Sequence, residues 1–168
     1  MSDARPLNVD AAGATGDALR TVDDGVVLAR LRRFLLATSA FLLAGTVAEL
    51  LLVGHTEGFA QLLPFALSGL GLVAAAAAAL RPRRGALLAL RVVSALAALG
   101  SLYGVYEHVA GNLALQREVN PNAAGTEFLL GALDGGNPLL APGVLTLAAA
   151  LALAATYRHP ALSKEGGA

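Results

Sequence analysis

Four stretches of this chain, 34–54, 59–80, 86–111 and 138–157, run for roughly twenty residues with almost no charge. A helix rises about 1.5 Å per residue, so each is about long enough to cross a hydrocarbon core of roughly 30 Å. In lipid, every backbone N–H and C=O needs an internal partner, and helices meet that need within a single segment. The expectation is an all-α integral membrane four-helix bundle with four transmembrane spans.

Composition agrees with that reading. The chain has 168 residues, of which 56% are hydrophobic and 14% charged, whereas a soluble domain is about a quarter charged. The solvent it implies is the lipid bilayer. Net charge is zero and no basic stripe exists, which argues against nucleic acid as a partner. The absence of cysteine excludes thiolate metal sites, disulfide exchange and thiol nucleophiles. Trp is absent too, Lys164 is the one lysine, and Ala, Leu, Gly and Arg abound. That bias fits a GC-rich bacterial coding background and hence a bacterial inner (plasma) membrane.

Residues 1–24 are rich in Asp, Gly and Ala without sustained periodicity, and read as a disordered cytoplasmic tail. An amphipathic lead-in over 23–33 follows, with Asp23 or Asp24 as candidate helix caps. The membrane domain covers 25–158, and 159–168 forms a second short tail. Pro138 and Pro142 are expected in or near the first turn of the fourth helix, where a missing N–H costs little. The longest connection is 112–137. Its "LALQREV" extends the third helix until Asn120-Pro121 stops it. Its "TEFLLGAL" (126–133) reads as a short amphipathic helix with Thr126 as N-cap, ended by "DGGNP".

Basic residues near span ends set orientation. Arg30, Arg32 and Arg33 precede the first span, Arg81, Arg83 and Arg84 lie between the second and third, and Arg158 and Lys164 follow the fourth. The other two connections hold Arg117 alone. Both termini are therefore expected in the cytoplasm (N-in/C-in). Glu49, His55, Glu57, Glu107, His108, Glu118, Glu127 and Asp134 then gather at or beyond the outer face.

The third span carries the clearest pattern. Gly100, Gly104, His108 and Asn112 recur every four residues and form one stripe, and Tyr103 and Glu107 form the neighbouring one. The Gly100–Gly104 pair suits close helix contact. Glu49 lies about 7 Å inside the outer end of the first span, a costly depth for a carboxylate. Candidate ligand-binding residues are Glu49, His55, Tyr103, Glu107, His108, Asn112 and Glu118. His55, Glu107 and His108 have the donor types of a divalent metal site assembled across helices. Haem ligated by the two histidines is the weaker expectation, because no attachment motif accompanies them. No G-x-S-x-G, Walker or dinucleotide fingerprint occurs, so no enzymatic activity is expected.

These features suggest a non-enzymatic binding or accessory module with a polar Glu/His mouth on the extracytoplasmic side, acting as a homo-oligomer or within a larger membrane complex. The alternative is a small proton-coupled transporter that works as an oligomer, with Glu49 or Glu107 as proton carrier.

Overall fold

The computed structural model describes residues 9–54, 56–138 and 141–163, with side-chain surroundings from Asp23 onward. Its elements in chain order are α1 (Val9–Leu52), α2 (Phe59–Leu80), α3 (Arg84–Val119), α4 (Gly125–Leu133) and α5 (Gly143–Ala155), with a short 3-10 turn at Pro160–Leu162. Of the described residues 82% are helical and none forms a strand, so the fold class is all-α. Three segments, Asp23–Leu52 of α1, α2 and α3, are long and apolar enough to cross a membrane, whereas α5 is apolar but only 13 residues long.

Three boundaries differ from the sequence expectation. The α1 backbone is helical from Val9, inside the stretch read as a disordered tail, so Asp23 and Asp24 lie within the helix and cap nothing. Extending a formed helix adds one hydrogen bond for each residue fixed, and Ala- and Leu-containing sequence does this readily. The fourth run is helical only over Gly143–Ala155 instead of 138–157. Proline disfavours helical geometry in the residue before it, so Asn137 and Ala141 both resist the helix. A turn forms there in its place, closed by Ala141 N–H donating to Pro138 O at 3.2 Å. Lastly, α4 has Ala124 as its N-cap without a side-chain hydrogen bond. Thr126 lies inside α4, whose first residue is Gly125, a glycine with a positive φ of 57° at the turn into the helix.

The long helices pack in a ring. α1 lies between α2 and α5, and α3 also lies between α2 and α5, so α1 and α3 stand on opposite corners. Small residues allow the close approach. A Cβ on Gly71 of α2 would come 2.9 Å from Leu43 Cδ1 of α1, and one on Gly100 of α3 would collide with Leu67 Cδ1 of α2. Two apolar clusters fill the centre. One contains Leu36, Ala75, Leu87, Leu90 and Ala155, and the other Leu43, Leu67, Ala97, Leu145 and Ala148. Alanine dominates on α2 and α5, which is why backbones approach closely enough for Ser39 Oγ of α1 to donate to Ala148 O of α5 at 2.8 Å.

The chain from Asn137 to Thr156 returns along α3 in reverse. Asn137 lies against Asn112, Pro142 against Gly104, and Thr156 against Arg91. The stretch of α3 it follows, Arg91 to Asn112, is about 32 Å long at 1.5 Å per residue.

Candidate functional site

The polar stripe of α3 faces the returning chain. Asn112 is 1% exposed. Its Nδ2 donates to Asn137 O at 2.9 Å, and its Oδ1 accepts from Asn137 N–H at 2.9 Å. One carboxamide thereby satisfies both backbone groups of a residue that no helix or strand can serve. One turn below, His108 Nδ1 lies 2.8 Å from Pro138 O. A carbonyl only accepts, so His108 carries its proton on Nδ1, and in the neutral ring Nε2 is left as the acceptor. Two turns below that, Ser101 Oγ donates to Pro142 O.

The glycines of the same region are spaces for this segment. A Cβ on Gly104 would lie 3.2 Å from Pro142 Cβ, one on Gly111 2.8 Å from Asn137 Nδ2, and one on Gly135 2.5 Å from Asn112 Cγ. Non-helical backbone at or near membrane depth persists only where protein supplies its hydrogen bonds. Ser101, His108 and Asn112 supply them here, each to a different residue of 137–142.

The other end of α5 is held in the same manner by arginines. Arg91 Nε donates to Thr156 Oγ1 at 2.9 Å and its Nη2 to Thr156 O at 3.0 Å. Arg32 Nη2 donates to Tyr157 O at 3.2 Å and Arg158 O at 3.0 Å. These carbonyls follow directly on the last residue of α5, Ala155, at the negative end of its dipole, which suits two guanidinium groups. Arg158 itself has a φ of 46°, the left-handed geometry that commonly closes a helix. His159 caps the following turn, accepting from Ala161 N–H at Nδ1 (3.2 Å). Its pKa lies below the ordinary 6.5, first because of burial and second because of the Arg32 charge.

The expected site residues divide into two sets. His108 and Asn112 are engaged by the 137–138 backbone. Glu49, Tyr103, Glu107 and Glu118 are exposed. Tyr103 stacks on Tyr106 with ring centroids 6.5 Å apart. Glu49 on α1 and Glu107 on α3 belong to helices at opposite corners of the ring, with α2 and α5 between them. His55 lies outside the described residues, so its relation to Glu107 and His108 is not placed. Among the described residues, no three His, Asp or Glu side chains assemble as a metal-binding group. The interior cavity bounded by Ser39, Leu43, Ser94 and Ala148 measures about 10 Å³, the room of about one water molecule.

Sequence reasoning missed Ser39, Ser101, Thr156 and the capping role of Arg32 and Arg91. Arg91 did carry a signal. It lies seven residues past Arg84 inside an apolar run, deeper than an orientation-setting charge needs to be.

Together these observations define an all-helical protein with three candidate membrane-crossing helices and a shorter apolar helix, α5, flanked at both ends by polar side chains that bond its neighbouring backbone. No protein-family model matches the chain, and neither the curated proteins nor the solved structures contain a match to it.

Proposed function

We propose that this chain is a bacterial inner-membrane protein that crosses the bilayer four times as a four-helix bundle, with both termini in the cytoplasm. In this reading it serves as a non-enzymatic binding or accessory module facing outward. The fourth crossing is the segment Asn137–Thr156, and the hydrogen bonds from Ser101, His108, Asn112, Arg32 and Arg91 are what support it. They supply partners to Asn137, Pro138 and Pro142 before α5 and to Thr156, Tyr157 and Arg158 after it. The orientation follows from arginine, which flanks the helices at the Arg32–Arg91 end and is scarce at the Asn112 end.

One observation favours an accessory role over transport. The cavity between the four packed helices is about 10 Å³ and is lined mainly by Ala, Leu and Ser, too little for a solute. The exposed groups lie instead on the outer side, where Glu49, Glu107 and Glu118 are accessible and α3 projects beyond the end of α5. Native purification in mild detergent followed by mass spectrometry and elemental analysis tests the reading. The expected result is a stoichiometric protein partner and no bound metal. Proton-driven solute movement by the chain reconstituted alone, abolished by Glu49→Gln or Glu107→Gln, would replace this reading with the transporter.

A further inference from the structure

Beyond the fourth crossing, α3 continues for more than a turn and α4 folds back against it. The seam is tight. A Cβ on Gly131 would collide with the Gln116 side chain, Ala132 is buried, and Arg117 lies over the Phe128 ring, 5.5 Å from its centroid. A helix of nine residues is unstable alone, so this seam and the Gly135–Asn112 contact are what keep α4 formed. The opposite surface of α4 is uncovered. Leu129, Leu130 and Leu133 are 56%, 65% and 60% exposed, large values for three leucines on one short helix.

Charge specifies what could cover them. Glu127, Leu130 and Asp134 follow at spacings of three and four residues and share one edge of α4, while Leu129 and Leu133 share the adjacent row. Both acids are exposed. They stand seven residues apart, about 10 Å along the axis. Arg117, the one Arg or Lys within residues 112–137, is turned toward the seam over Phe128. A leucine row bordered by two carboxylates matches an amphipathic helix whose own apolar row is bordered by Lys or Arg at the same seven-residue interval.

We infer that the outer edge of α4 docks a cationic amphipathic helix of a partner protein on the outer side of the membrane. This rests on the accessory reading and names the chemistry of its partner. A second copy of the chain fits poorly, because a two-fold pairing through Leu130 sets Glu127 against Asp134 of the other copy on both sides. Lipid fits poorly too. Gln116, against which α4 packs, lies past Asn112, the α3 residue level with the end of the fourth crossing at Asn137, and the two carboxylates beside the leucines repel anionic headgroups.

The test uses the full chain in nanodiscs of zwitterionic lipid and a fluorescent helical peptide of leucine and lysine, with lysines seven residues apart beside a leucine row. Saturable binding is expected, weakened at least tenfold by Glu127→Lys with Asp134→Lys and, separately, by Leu130→Ser. A matched leucine–glutamate peptide should ignore the native chain and bind the double lysine variant. All three positions are exposed, and an unchanged circular dichroism spectrum verifies folding. Equal binding to empty nanodiscs, indifference to the charge reversal, or self-association of the native chain that Leu130→Ser abolishes would each overturn the inference. None of those outcomes touches the accessory reading, which falls instead to proton-driven transport by the isolated chain.

Discussion

The Asn112 carboxamide and the Asn137 backbone exchange two hydrogen bonds of 2.9 Å near the C-terminal end of α3. No other side-chain arrangement among the described residues satisfies a backbone N–H and C=O of the same residue from one partner. Its consequence is measurable. Asn112→Ala should destabilise the protein by about 2 kcal/mol, as expected when backbone groups lose a buried partner. Amide exchange should quicken at Asn137 and leave the α1–α2 contact unchanged. Asn112→Asp keeps the acceptor for Asn137 N–H but turns a carboxylate toward Asn137 O. It should therefore be at least as damaging at neutral pH and recover in part under acid, when the protonated acid can donate.

Glycine substitutions should rank by what a methyl group meets. Gly135→Ala places a Cβ 2.5 Å from Asn112 Cγ, against a side chain fixed by both its hydrogen bonds, and should cost about 1–3 kcal/mol. Gly104→Ala requires Pro142 to yield only a few tenths of an ångström, since its contacts are 3.2 and 3.3 Å, and should cost less. Gly45 has nothing within 4 Å of a Cβ and is helical, so Gly45→Ala should be neutral or stabilising by about 0.5–1 kcal/mol. Thermal unfolding in one detergent orders the three.

Arg91 tests the other end of α5. Arg91→Met removes two hydrogen bonds to Thr156, each of the charge-assisted kind worth about 1.5–3 kcal/mol, and should lower the melting temperature markedly. Arg91→Lys should recover only part, because an ammonium lacks the planar fork that reaches Thr156 Oγ1 and Thr156 O together. Equal stability of the Met and native proteins would mean that the α5 carbonyls find other partners.

His159 gives a pH dependence with a defined sign. Its folded-state pKa is lowered, by burial and then by Arg32, so the unfolded chain binds the proton more readily. The stability it contributes is full above about 6.5, the ordinary imidazole value, and declines as the pH falls below that value toward the folded pKa. Protonation also removes the Nδ1 lone pair that accepts from Ala161 N–H. The protection of the Ala161 amide, measured relative to its intrinsic exchange rate at each pH, should fall on acidification, and His159→Asn, which retains a capping oxygen, should flatten that response.

Much of the fold could be read from the chain because lipid imposes so few solutions. Phe59–Leu80 matches its apolar run to the residue, and α3 ends at Val119, before Asn120-Pro121, since a proline restricts its predecessor locally. The start of α5 was misread for a physical reason. Pro138 and Pro142 both tolerate a first helical turn, and the choice of a turn over a helix depends on hydrogen bonds from Ser101 and His108, about thirty to forty residues away in sequence. The α3 stripe was legible as a pattern, since its four-residue interval is a property of any helix. Its partner was not. A His beside a Glu in sequence suggests a shared site, yet adjacent residues on a helix point about 100° apart, and His108 is occupied by Pro138 O while Glu107 remains exposed.

The most direct test of a fourth crossing held by these contacts uses the absence of native cysteine. A single cysteine is placed at Thr126 in α4 or at Ser163 after the last turn, and intact cells are treated with a membrane-impermeant maleimide. Four crossings predict labelling at 126 in intact cells and at 163 only after permeabilisation. Labelling of both positions from the same side would contradict the fourth crossing, and with it the role given to Ser101, His108 and Asn112.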